Sequence, residues 1–318
     1  MSFFEFDCSD RTFEEIQIFA GFQDSNLEML NKCFKSVFMI RDQKIKVEVN
    51  DTLDTHKVEE VIDACFSIID TQHRLNSQDV NYICSLAFKN RLKDFKAHQL
   101  QAVCKTKTGK MIYPKTIGQA ILCDAMRHNE IVFATGVAGT GKTYLAVAYA
   151  VNMLKSERVE KIILTRPAVE AGESLGFLPG DMKEKVDPYL RPLYDALNEM
   201  LGLETVEKYV EKQVIEIAPL AFMRGRTLND AVVILDEAQN ATCAQMKMFL
   251  TRMGKNCKMV VTGDVTQIDL IKKKDSGLMQ ACTILDHIVG ISIIHLENSD
   301  VVRNPLVQKI IERYAKVE

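Results

Sequence analysis

Residues 136–143 read Gly136, Val137, Ala138, Gly139, Thr140, Gly141, Lys142 and Thr143, which fills the pattern G-x-x-x-x-G-K-[ST]. The apolar stretch "EIVFAT" precedes the loop and the amphipathic "YLAVAYAV" follows it, so it joins a strand to a helix. Glycine tolerates positive φ, which lets successive backbone N–H groups turn toward a β-phosphate while the helix adds its positive N-terminal end. Lys142 then reaches the β and γ oxygens, and the Thr143 hydroxyl is placed for Mg2+. A Gly-rich turn of purely structural use is the competing account. The strand on one side and the helix on the other favour nucleotide phosphate.

Two later apolar strands end in polar groups that suit the same chemistry. "AVVILDEAQN" puts Asp236 and Glu237 at a strand's C-terminal end, where ligands gather in parallel sheets. Asp236 can hold magnesium through its water shell, and Glu237 can polarise an attacking water, which favours hydrolysis over transfer to a small molecule. "VVTGDVTQIDL" brings Thr262, Gly263, Asp264 and Gln267 to a third tip. The Gln267 amide can donate to a γ-phosphate or its water and accept from a neighbour, as a sensor would; an Asp-stabilised turn is the alternative. Upstream, "YPKTIGQAILCDAM" sets Thr116 and Gln119 shortly before the phosphate-loop strand. The Gln119 amide matches an adenine edge, although a Gln opening a helix is commonly just solvated.

These groups need a scaffold, and the chain supplies two rhythms. From about Ser2 to Lys115, short β-like pieces ("SVFMI", "KIKVEV") mix with helical ones ("KVEEVIDACFSIIDTQHRL", "SQDVNYICSLAFKNRL"), and "VCKTKTGKMIYP" reads as a hairpin turning at "TG". From Thr116 the pattern becomes strand, loop, helix, with near-continuous apolar strands "EIVFAT", "KIILT", "VIEIA", "AVVILD", "KMVVTGD" and "ISIIHLE". Strands without alternation fit a parallel sheet covered on both faces. The expected fold is α/β: a RecA-like P-loop NTPase sheet with helices on both faces, over residues 111–318, behind a small α+β domain over residues 1–110. The seam is expected near Pro114.

Composition bounds the rest. The 318 residues are 47% hydrophobic and 26% charged with only 7 Pro and 15 Gly, which describes a folded chain with room for about two domains. A formal net charge of −3 gives no global positive field, so any nucleic-acid contact must rest on a local groove. The nine cysteines are scattered, odd in number and without a C-x-x-C pair, which argues against a disulfide framework or a structural zinc site. No basic leader or membrane-length apolar window is present, and a cytoplasmic location is expected.

With these residues in view, the chain closely resembles the PhoH-like ATPases, relatives of the superfamily 1 helicase core. Besides the phosphate loop, the resemblance is carried by "TRPAVEAGESLGFLPGDMKEKVDPYLRPLYDAL", "IEIAPLAFMRGRTLNDAVVILDEAQN", "QMKMFLTRMG", "MVVTGDVTQIDL" and "SDVVRNPLVQKII", nearly all of 111–314. The N-terminal part is similar, more loosely, to the small domain of the form without a PIN nuclease module. It faintly resembles a divergent KH-type RNA-binding unit, but lacks a G-x-x-G loop.

The resemblance implies a Mg2+-dependent ATPase acting on RNA by binding, remodelling or unwinding, with ATP and Mg2+ as cofactors. It also implies a homo-oligomer, with a hexameric ring among the expected forms, and partnership with a metal-dependent endoribonuclease of ribosomal RNA processing. By position, Gln119 would read adenine, Gly136 to Thr143 the phosphates, Asp236 with Glu237 the magnesium and water, and Gln267 the γ-phosphate. Arg303 in "SDVVRNPLV" is the candidate arginine finger, in cis or from a neighbouring subunit. Arg166, Arg224 and Arg226 could contact phosphate or strand backbone, or form ordinary ion pairs. Glu170 and Glu173 fit capping and loop hydrogen bonds better than a second metal site.

Three departures from the family pattern stand out. Val137 replaces a usual Pro, Asn304 replaces a common His, and "LIKKKDSGL", with Ile271, Lys272, Lys273 and Lys274, replaces a Pro-Arg-Gly turn. The lysine run reads as a solvated basic turn or a nucleic-acid contact. Three activities compete: a nucleic-acid-dependent ATPase, a nucleotide-gated adaptor for the endoribonuclease with little motor activity, and, weakest, a small-molecule kinase. One RecA-like lobe, where a single-chain helicase of this superfamily has two, is what keeps the adaptor in play.

Overall fold

A computed structural model describes residues 2–50, 53–97, 101–167 and 182–302, with 307, 310 and 313. Two compact units emerge: residues 1–100 with 115–117, and 101–114 with 118–318. In the first, β1 (Phe3–Asp7), α1 (Phe13–Ala20), α2 (Ser25–Phe34), β2 (Phe38–Arg41), β3 (Lys44–Glu48), α3 (Thr55–Gln72), α4 (Ser77–Phe88) and α5 (Leu92–Ala97) follow one another. The sheet is antiparallel in the order β1-β3-β2, with Phe6 opposite Ile45 and Ile40 opposite Ile45 on the other side. Ile45 and Val47 alternate with half-buried lysine and glutamate, so β3 buries one face, and Phe19, Leu30, Ile62, Phe66 and Ile83 are fully buried as well. Thr12 with Glu15, and Asn76 with Asp79, form capping boxes that start α1 and α4. Hydrophobic patterning alone predicts no strand at "FFEFD". None of its side chains is fully buried, so pairing with β3 defines β1 and hydrophobic patterning does not.

The second unit opens with the expected hairpin, β4 (Cys104–Lys105) paired with β5 (Met111–Ile112). It belongs to the second unit, which includes residues 101–114. Val103, Cys104 and Ile112 join the core around Leu122, Met126 and Leu145, and Lys155 Nζ donates to Lys105 O at 2.7 Å. Then come α6 (Ile117–His128), β6 (Ile131–Gly136), α7 (Lys142–Lys155), β7 (Lys161–Arg166), α8 (Met182–Leu201), α9 (Leu203–Glu211), β8 (Ile215–Pro219), β9 (Ala231–Leu235), α10 (Cys243–Leu250), β10 (Cys257–Gly263), α11 (Gly277–Ile284) and β11 (Ile291–Leu296).

The six apolar runs become one sheet in the order β11-β6-β10-β9-β7-β8, every pairing parallel. Alternate side chains explain why the runs are continuous. Val132, Ala134, Ile162, Leu164, Val232, Ile234 and Val260 pack with α7 and α8, while Phe133, Ile163, Val233, Leu235, Met259 and Val261 pack with Met246 and Phe249 of α10 and Leu278 of α11. Helices on both faces thus demand apolar residues at both parities. The result is the α/β, P-loop NTPase type of sheet. No helix among the described residues is long and apolar enough to cross a membrane.

Candidate active site

β6 runs buried from Val132 to Gly136 and hands the chain to α7 through the glycine loop. Gly136 has φ 137°, and a Cβ there would collide with the Leu296 carbonyl oxygen of β11, so no other residue fits this strand end. Gly141, the residue before α7, has φ 82°, and its missing Cβ makes room for the Gln119 amide. Lys142 is buried, and its Nζ donates to Gly136 O at 2.6 Å, Val137 O at 2.9 Å and Thr140 Oγ1 at 3.3 Å. The ammonium therefore sits inside the loop's curve, among oxygens that phosphate oxygens could replace.

The sheet order brings the other strand tips to this loop. β10 lies between β6 and β9, so Thr262 and Asp264 come between the phosphate loop and Asp236. Asp236 is buried, and its Oδ1 accepts from both Thr143 Oγ1 and Thr262 Oγ1, each at 2.7 Å. Its Oδ2 makes no hydrogen bond among the described residues. A buried carboxylate tied to the loop's own threonine, with one oxygen to spare, has the donor set for a hard divalent cation such as Mg2+. Glu237 follows in a left-handed conformation, φ 52°. Its Oε1 is 3.3 Å from Arg166 Nη2, and its Oε2 accepts from Gln239 Nε2 at 2.5 Å.

Ala138, Gly139, Gly141, Lys142, Thr143, Tyr144, Asp236, Glu237, Gly263, Asp264 and Gln267 line one crevice of about 240 Å3. Gly136, Val137 and Thr140 form the loop behind it, and Gln119 braces that loop, its Nε2 donating to Thr140 O at 2.9 Å. Arg303, Asn304, Glu170 and Glu173 lie outside the described residues. Arg226 is committed elsewhere: its guanidinium forks onto Glu216, Nη1 to Oε1 at 2.5 Å and Nη2 to Oε2 at 2.7 Å, which raises its pKa. Arg224 and Lys272 to Lys274 are exposed.

Several further partners in the site carry no signal in residue type or spacing. Gln239, buried, both donates to Glu237 and accepts from Asp264 N at 3.0 Å. Asn240 and Asp269 form a reciprocal pair, Asn240 Nδ2 to Asp269 Oδ2 at 3.0 Å and Asp269 N to Asn240 Oδ1 at 2.8 Å. These amides lace the "DEAQN" and "GDVTQID" loops together. Asp264 Oδ1 accepts from Thr266, while its buried Oδ2 and the buried Thr165 Oγ1 make no hydrogen bond among the described residues. Unpaired buried oxygens are costly, and two at the strand tips mark polar space that a ligand can satisfy. On the far side, Val302 N donates to Gly139 O at 3.0 Å, and Asp300 Oδ1 accepts from Gly118 N at 3.2 Å, seating the segment before Arg303 on the loop.

The chain as a whole is similar to known proteins. Residues 111–315 match the protein family described as PhoH-like protein. A PhoH-like protein of Bacillus subtilis is 52% identical over 303 residues, covering 95% of this chain and 94% of that one. One from Mycobacterium tuberculosis is 47% identical over 298 residues, covering 94% and 84%. Protein PhoH of Escherichia coli is 46% identical over 193 residues, covering 60% and 54%. On the extent of these matches and on its phosphate loop and strand tips, the chain belongs to the PhoH-like family.

Proposed function

We propose that this protein is a Mg2+-dependent ATPase whose cycle is coupled to RNA. The observation that carries the reading is the Thr143–Asp236 hydrogen bond on the floor of a crevice that also holds Lys142, Glu237 and Gln267. Gly136 to Thr143 wrap the phosphates, Lys142 exchanges its loop oxygens for β and γ oxygens, and Gln119, at the loop's edge, reads adenine. Thr143 Oγ1 and Asp236 would hold magnesium, which draws charge from the phosphates and orients them for in-line attack. Glu237 accepts a proton from the attacking water as that water's oxygen bonds to the γ-phosphorus and ADP departs with the electron pair of the broken bond. Gln267 changes partners as the γ-phosphate leaves, and Arg303 supplies transition-state charge.

In this reading residues 111–318 form the ATPase domain, and the small domain over 1–110 contributes to RNA contact. The chain acts as a homo-oligomer, beside an rRNA-processing endoribonuclease. ATP turnover measured with and without single-stranded RNA, at low and high salt, tests the coupling. RNA-stimulated, salt-sensitive turnover is expected. Turnover indifferent to RNA, with no salt-sensitive RNA binding, would overturn it.

A second reading, a nucleotide-gated adaptor, is favoured by the Val302–Gly139 hydrogen bond, which ties the segment before Arg303 to the phosphate loop. It predicts that ATP and ADP forms capture the endoribonuclease with unequal strength; equal capture removes it.

A further inference from the structure

The ATPase-type unit has another cavity, of about 320 Å3, away from the crevice. It is lined by Val103 and its two predecessors, by Cys123 and Arg127 of α6, by Tyr149, Asn152, Met153 and Ser156 of α7, and by Arg158. Asn152 lies roughly 14 Å along α7 from Thr143 at about 1.5 Å per residue, so the phosphate loop and this cavity occupy different ends of one helix. The volume is at the lower end of the range for small-molecule sites, about 300–1,000 Å3.

Its chemistry is one-sided. Among the described residues no carboxylate lines it, while two guanidiniums, two carboxamides, a phenol and a hydroxyl do. Neither Arg127 nor Arg158 makes an ion pair or a side-chain hydrogen bond among the described residues, so ten N–H donors are uncommitted. The negative helix ends that would repel an anion are already answered. Lys258 Nζ donates to Met126 O, Arg127 O and Asn129 O at 3.0, 3.2 and 2.8 Å, closing the C-terminal end of α6. At the end of α7, Ser156 Oγ and Ser156 N donate to Asn152 O, and Arg158 N donates to Met153 O. Lys258 also lies 6.0 Å from the centroid of the buried Tyr149 ring, adding a third positive charge beside the cavity.

Burial raises the Tyr149 phenol's pKa, against the lowering pull of Arg158 and Arg127, and burial lowers that of Lys258. Tyr149 thus keeps its proton and is a donor. A ligand satisfying this lining must present several acceptor oxygens and negative charge at one end. The apolar walls of Val103, Cys123 and Met153 suit an uncharged remainder.

We propose that this cavity is a second ligand site, for a phosphomonoester carried on a small organic group, its phosphate gripped by the Arg127 and Arg158 forks and its body against Tyr149 and Met153. Phosphate pairs with guanidinium forks through two parallel hydrogen bonds, which an ammonium cannot supply. Nothing in the proposed ATPase chemistry uses these residues.

The test is calorimetric titration of the full chain with ribose 5-phosphate, ADP and Mg2+ being present in excess to occupy the phosphate loop. Saturable binding is expected, weakened at least tenfold in the Arg127→Gln, Arg158→Gln double variant and unchanged in Lys142→Ala. Both arginines are free of ion pairs and side-chain hydrogen bonds among the described residues, so the double variant should melt at the wild-type temperature; the milder Arg127→Lys, Arg158→Lys pair should bind with intermediate strength. Absence of saturable binding at millimolar concentration, equal affinity in the glutamine variant, or loss of binding in Lys142→Ala would overturn the site. Inorganic phosphate is the second arm. Weaker binding than ribose 5-phosphate supports an organic body, and equal binding overturns that part.

Discussion

Glu237 sits in the left-handed region, φ 52°, where a β-substituted residue is strained by about 1–3 kcal/mol. Two neighbours hold its carboxylate there, Arg166 at 3.3 Å and Gln239 at 2.5 Å. Gln239 is the more telling because it is buried and its other end accepts from Asp264 N. Its amide thus fixes the distance between the proposed water-activating carboxylate and the loop that bears Gln267. Gln239→Ala should lower kcat about tenfold or more, since small misplacements of a reacting group are expensive, while KM for ATP stays within about twofold. Steady-state kinetics check this, and an unchanged kcat would mean that Glu237 needs no such support. The same variant leaves Asp264 N unpaired, at a cost of about 1–3 kcal/mol that a denaturation midpoint can read.

At the scale of elements, how legible the fold was depended on how local its causes are. The six strands of the larger sheet could be read because both of their faces are buried, as Val232 and Val233 pointing into opposite cores illustrate. β1 could not, since its burial is only partial and its partner lies far along the chain. The hairpin at 104–112 is held by contacts far along the chain, such as Lys155 to Lys105, that its own residues do not announce. In the site, Gly136 to Thr143, Asp236 and Glu237 announce themselves by type and spacing, whereas Gln239 and Asn240 depend on partners 25 and 29 residues away.

Element α4 yields a prediction of its own. Burial raises the Asp79 carboxyl above its ordinary range, only partly countered by the Asn76 N–H that it accepts. A raised native pKa means that the folded chain holds this proton more tightly than the unfolded one. The stabilising increment is complete below the unfolded value, near 4, and is lost as pH rises through the native value. Asp79→Asn keeps an acceptor for Asn76 N and removes the buried charge. It should raise the melting temperature of the first unit at pH 7 and change it little below about pH 4; equal shifts at both pH values would contradict this account of Asp79.

For the whole molecule, a formal net charge of −3 leaves no general attraction for RNA, so coupling must run through local surfaces and through the nucleotide state. Ligand linkage gives a global readout of that state. ATP with Mg2+ at about 100 times its dissociation constant should add about 2.7 kcal/mol to the stability of the folded chain, seen as a raised melting temperature. Lys142→Ala should abolish most of the shift, because the ammonium that meets the phosphates is gone. A full shift in that variant would place the nucleotide somewhere other than the glycine loop.

The most direct measurement compares wild type with Glu237→Gln for both ATP binding and ATP hydrolysis in the presence of Mg2+. The variant keeps the hydrogen-bonding shape of the side chain and removes its ability to take a proton. ATP affinity should be nearly unchanged while turnover falls about 10²–10⁴-fold, the usual contribution of a positioned base. Hydrolysis by the variant at the wild-type rate, or a wild-type chain that binds ATP and does not hydrolyse it, would contradict the account.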